Sequence, residues 1–219
     1  LHAGGGGEDA AGWVKRCADV VRGGGAADRW AAVGMMEQAF GGCSAEAMPQ
    51  VQIAATGVLL SLLKPTEAPA IRAASCRALA QLHAAVSRVP AQAGGTKEAA
   101  ALLQRFVPEL IKMAHAGKDT PPEVLCACLE AVVQVTKVHP TSMRPFSNQV
   151  VGACCKLLPH AHQGVRSAAS SCLALMPVAA PKDGGNEGGG KASGPMWQKL
   201  LKNLMEAASH LLWHIDGLR

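Results

Sequence analysis

Residues 121–158 read PPEVLCACLEAVVQVTKVHPTSMRPFSNQVVGACCKLL, and the periodicity of this stretch decides the fold class. Leu125, Cys128, Leu129, Val132 and Val135 recur at spacings of three and four, while Glu123, Glu130, Gln134 and Lys137 fall on the opposite side. That spacing lines one face of a helix. Phe146, Val150, Cys154 and Leu157 repeat the pattern in a second helix. Between them stands the corner His139-Pro140-Thr141-Ser142-Met143-Arg144-Pro145. Pro140 disfavours the helical conformation at His139, so the first helix should end there. Thr141 or Ser142 is expected to cap the second, with Pro145 in its first turn, where no N–H is needed. Apolar stripes of this width need partners on both sides, which points to a helical array.

Outward from this pair the same signals recur. Upstream, a short helix over Ala10–Arg22 ends at Gly23-Gly24-Gly25, and a second over Asp28–Phe40 carries Trp30, Val33, Met36 and Phe40 as its inward stripe. A third spans about Ala47–Leu63 on Val51, Ala55, Val58 and Leu62, and Pro65 stops it. Pro69 opens a fourth, buried through Ile71, Ser75, Ala78, Leu82 and Val86, whose small residues allow close helix approach. Thr96 should cap the next, with Leu102, Leu103 and Phe106 inward and a kink or restart at Pro108. Downstream, Val165, Ala169, Cys172 and Met176 mark a helix stopped by Pro177. Residues 180–194 read as a flexible low-complexity loop before a last amphipathic helix with Trp197, Leu200, Leu201 and Leu204 inward.

The helices come in pairs at roughly the 40–50-residue period of HEAT or armadillo units, though no consensus word repeats. The expected fold is all-α, an irregular α-solenoid of HEAT/armadillo-like helix pairs over residues 10–219, preceded by a flexible Gly-rich N-terminus over 1–9. Composition agrees. Of 219 residues 49% are hydrophobic but only 3% aromatic, so alanine and leucine carry the apolar share and favour helix over strand. The chain starts at Leu1, as a piece of a longer protein would.

Charge and cysteines exclude several classes. The net charge is +5, but the basic residues are scattered and make no run for nucleic acid. Most of the eight cysteines lie in apolar helical runs, where Cys packs as a small hydrophobe. With no signal peptide and no Asn-x-Ser/Thr site, the reading is a reducing, intracellular compartment. Val51–Leu63 is shorter than the ~20 residues a bilayer span needs, so no membrane partner is expected.

The metal test rests on Cys126-Ala-Cys128, Cys154-Cys155 and His160-Ala-His162. None has knuckle spacing, and Cys126 and Cys128 stand about 200° apart around a helix. Neither a metal nor a cofactor is expected. The glycine runs lack a phosphate-loop order, and no nucleophile sits beside a visible base. A catalytic site is not expected either. What remains is surface. Trp30 and Trp197 fit inward stripes, while Trp213 in HLLWHIDGLR is the better candidate for a partner-binding residue, tryptophan being frequent at binding hot spots.

The order of these segments resembles the N-terminal helical domain of the Rix-type pre-rRNA-processing protein family. The residues that carry it are Asp28-Arg29-Trp30-Ala31-Ala32-Val33-Gly34, LLSLLKPTEAPAIRAASCRALAQL over 59–82, Val107-Pro108-Glu109-Leu110-Ile111, the His139–Phe146 corner, Ser171–Pro177, and Trp197 with its leucine-rich helix. The resemblance covers about residues 28–213. It implies a scaffold of the Rix complex in the nucleolus and nucleoplasm, acting on pre-60S particles and in rRNA processing. Implied partners are a WD-repeat subunit, another helical-repeat subunit and the AAA ATPase midasin. The chain departs from the family in its Gly-rich insertions at 23–25 and 184–190, and it has neither an acidic, proline-rich tail nor a nuclear-localisation run. A generic armadillo/HEAT adaptor is the rival reading, although the Trp/Asn ladder of an importin-like adaptor is missing. Direct RNA binding is a third and finds little support in scattered charge. The small-residue helices would support a homodimer, but nothing specifies its face.

Overall fold

Helices and tight turns make up the described part of the chain. The computed structural model describes residues 6–176, in which eight α-helices follow one another. They are α1 (Gly6–Gly23), α2 (Ala26–Gly42), α3 (Met48–Ser61), α4 (Pro69–Ser87), α5 (Gly95–Ala116), α6 (Pro122–Val138), α7 (Ser147–Leu157) and α8 (Gln163–Leu175). No strand occurs among the described residues, and no helix there is long and apolar enough to cross a membrane. The expected 180–194 loop, the helix after Pro195, Trp197 and Trp213 lie outside the described residues, as do residues 1–5 of the expected flexible N-terminus.

The packing order follows the apolar stripes. Helices α2, α4, α6 and α8 lie side by side in that order, with α4 against α6 the most extensive contact. On the other side α1 packs on α2 and α3, and α5 packs on α4, α6 and α7. Helix α4 is therefore enclosed by α2, α3, α5 and α6 and is buried nearly all round, as an interior helix should be. Ala73, Ala74, Ala78, Ala80 and Ala85 keep its surface small enough for that. Leu79 and Leu82 fill the remaining space, each full burial worth ~1.5–3 kcal/mol before chain entropy is counted.

In α6 the five expected apolar residues are buried and the four expected polar ones exposed. The corner differs in detail. His139 closes α6 with its N–H on the Val135 carbonyl (2.9 Å), but neither Thr141 nor Ser142 caps α7. A 3-10 turn over Arg144–Phe146 stands in between, and Pro145 fits its start because no N–H is needed there.

Two further expectations fail around α5. Thr96 lies inside the helix, and the start is made by glycine instead. Gly94 has φ +87, which only glycine adopts freely, and its carbonyl accepts the Glu98 N–H (3.0 Å). Pro108 does not restart the helix, which runs unbroken through it. The carbonyl it leaves unpaired is that of Gln104 on the exposed face, where water can take over. Helix α1 also starts earlier than Ala10, at Gly6. Glycine is a weak helix former but not a forbidden one.

Next to that start, Gly95 packs directly on the Val89 backbone. A Cβ there would overlap the Val89 carbonyl oxygen and lie 2.8 Å from its carbonyl carbon. Gly95→Ala should thus destabilise the fold by ~1–3 kcal/mol, read as a lower urea midpoint. Gly34→Ala, within α2 and with no atom near the added methyl, should instead stabilise by ~0.5–1 kcal/mol. Equal effects at the two sites would contradict the backbone contact.

Candidate interaction surface

The clustered cysteines among the described residues are engaged in packing. Burial pushes the Cys76 thiol up to about 12 and the Cys128 thiol well above its ordinary value. The Cys154 thiol is also raised, first by its hydrogen bond with Cys172 and then by burial. Thiols held protonated in this way are poor nucleophiles and poor ligands. Cys128 Sγ donates to the Leu110 carbonyl on α5 (3.0 Å), whereas Cys126 lies against Gly164 at the start of α8. The two cysteines thus serve different neighbours. At the α7–α8 turn, the His162 N–H donates to His160 Nδ1 (3.1 Å), and Arg166 donates to the carbonyls of His160 and Ala161 (both 2.8 Å). Among the described residues no group of three or more His, Cys, Asp or Glu is placed to hold a metal.

Surface features remain. Trp30, expected inward, is 55% exposed. Its helix buries Ala32, Val33, Met36 and Phe40, and at about 100° per residue Trp30 stands roughly 100° from the centre of that face. Arg29 takes the inward position instead. Its Nη1 forks onto the Glu67 carboxylate (2.9 and 3.0 Å) and its Nε donates to the Gly24 carbonyl (3.0 Å). This tie fixes the α3–α4 connection against the start of α2. Trp30 and the exposed Met35 then border a hollow of about 630 Å³ between α2 and α4, with Arg77 and Gln81 opposite. Trp13, 47% exposed, lies under the Arg16 guanidinium at 5.2 Å. Trp213, the residue favoured from the sequence, lies outside the described residues.

A second hollow, about 690 Å³, lies between the end of α3, the start of α4 and α5. Leu60, Leu63 and Met113 give it apolar walls, and Lys64, Arg72, Arg105 and Lys112 bring cations to it. Arg72 is only 5% exposed. A sequence signal for it existed: Arg72, Cys76, Leu79 and His83 follow one another at spacings of four, three and four, a buried stripe that carries a cation.

The protein-family model described as RIX1, rRNA processing/ribosome biogenesis, matches residues 7–163. The chain belongs to the RIX1 family. The match starts upstream of the 28–213 span that carries the sequence resemblance and ends at the first residue of α8, so it takes in all of α1 to α7 but Gly6. RIX1 membership implies a role in rRNA processing and ribosome biogenesis. None of the curated proteins matches the chain. A crystal structure of an engineered protein aligns with 93% of this chain and 96% of its own, at 18% identity and a TM-score of 0.37.

Proposed function

We propose that the chain is a non-enzymatic, protein-binding scaffold of the Rix complex, acting on pre-60S particles in the nucleolus and nucleoplasm. The observation that carries this reading is the RIX1 match over α1 to α7. In the same reading the helices form an irregular solenoid of HEAT-like pairs, supported by the α2–α4–α6–α8 row with α1, α3, α5 and α7 on its other side. Helical arrays of this kind bind through extended surfaces and need no active site. The proposed partners are a WD-repeat subunit, another helical-repeat subunit and midasin. The exposed Trp13, Trp30 and Met35 are the side chains on α1 and α2 suited to anchor one of them.

Affinity purification of the full-length protein from its own cells, followed by mass spectrometry and sucrose-gradient sedimentation, tests this directly. Co-recovery of the WD-repeat subunit and midasin, with sedimentation near the pre-60S peak, is the expected result. Recovery of unrelated cargo without pre-ribosomal material would replace the Rix reading with that of a generic adaptor.

A further inference from the structure

The hollow at the α3–α4 and α5 junction has a feature that packing alone does not explain. Arg72 is nine-tenths buried and pairs with no carboxylate among the described residues, and its buried Nε meets no hydrogen-bond acceptor. Its position makes this worse. Arg72 sits in the first turn of α4, the positive end of the helix dipole, where a cation is disfavoured. A buried, unpaired guanidinium is expensive unless an anion completes it. Lys64 and Arg105 stand exposed on the same hollow, also without an ion-pair partner among the described residues. The two carboxylates of the lining, Glu109 and Asp119, form no ion pair with Arg72, Glu109 lying 4.0 Å from Lys112 instead.

We propose that this hollow is a docking site for an acidic, leucine-bearing segment of a partner protein, with a carboxylate of that segment forking onto Arg72 and its leucine seated between Leu60, Leu63 and Met113. A guanidinium presents two parallel N–H groups that match a carboxylate, and the site's apolar walls match an aliphatic side chain. Charge complementarity calls for an anionic occupant, and the lining favours an acidic peptide over single-stranded RNA. A nucleic-acid groove pairs its cations with aromatic platforms for the bases, and no aromatic residue lines this hollow. Docking an extended acidic segment here rests on the protein-binding reading given above. It is nonetheless separable from the Rix assignment, since it is read on the isolated chain.

The test uses the whole 219-residue chain and the labelled peptide Asp-Leu-Glu-Leu-Asp-Leu-Glu, with its Asn/Gln counterpart as control. Fluorescence anisotropy should show the acidic peptide binding at least ten-fold more tightly than the amide peptide. Arg72→Met should lose that ten-fold margin, while Arg72→Lys keeps part of it. In nitrogen-detected spectra of the unaltered protein, the Arg72 Nε–H resonance should shift on titration with the acidic peptide, which needs no variant to fold. An unmoved Nε–H resonance at saturating peptide, or equal binding of both peptides, would overturn the site. A shift with oligouridylate but not with the peptide would overturn the proposed occupant in favour of nucleic acid. Failure of pre-60S co-recovery in the purification above would leave these results untouched.

Discussion

Phe106→Ala is expected to lower stability by ~3–5 kcal/mol, which corresponds to a fall in Tm of roughly 10 °C for a chain of this size. Phe106 is fully buried on α5, the helix that packs on α4, α6 and α7 together. Its ring lies 6.2 Å from that of His83 on α4, at 57°. Truncation removes the transfer energy of the ring and leaves a cavity between helices that other contacts hold apart, so collapse is incomplete. Phe106→Leu, which keeps most of the volume, should cost less than half as much. Thermal melts followed by far-ultraviolet circular dichroism would compare the two. A loss below ~1 kcal/mol for Phe106→Ala would mean that α5 is not fixed where it is described.

The parts that were legible from sequence are those governed by local pattern. The faces of α6 and of the segment from Phe146 to Leu157 could be read because three- and four-residue spacing is a property of one helix. The family could be read because an order of short words survives without knowledge of contacts. Three things escaped for one reason, which is that they depend on neighbours remote in sequence. Trp30 looked inward because Trp30, Val33 and Met36 share a spacing, yet the centre of the buried face is set by where α4 lies, and that favours Arg29. The bond from Arg29 to Glu67 crosses from α2 to the α3–α4 connection, so neither segment announces it. Thr96 looked like a cap because threonine is a good one. The close pass of Gly95 over Val89, which shapes the real turn, has no signature beyond two adjacent glycines. The two hollows are products of the same remote packing, and Trp213 lies outside the described residues.

His83 predicts a pH dependence that belongs to the interior and not to the surface. The side chain is fully buried in α4, and neither ring nitrogen has a hydrogen-bond partner. The His139 ring stands edge-on at 5.3 Å, with its Nε2 on the Ser87 hydroxyl (2.9 Å). Burial, and to a smaller degree the neighbouring His139, lowers the His83 pKa to about 4. In the unfolded chain the same imidazole titrates near 6.5. Between those values the unfolded state holds a proton that the folded state does not, so stability rises with pH across that window. The contribution is complete above about pH 6.5 and drains away as pH falls towards about 4, a loss of ~3 kcal/mol. His83→Leu deletes both unpaired nitrogens and should leave stability at pH 7 within ~1 kcal/mol of the unaltered protein. Carboxylates also titrate in this range, so the measurement is the difference between the two proteins in urea midpoints from pH 7 to pH 4. That difference should grow in favour of the leucine variant as pH falls, and parallel curves would refute the account. Phe106→Ala should flatten the same slope, because water admitted beside the imidazole relieves the desolvation that depresses its pKa.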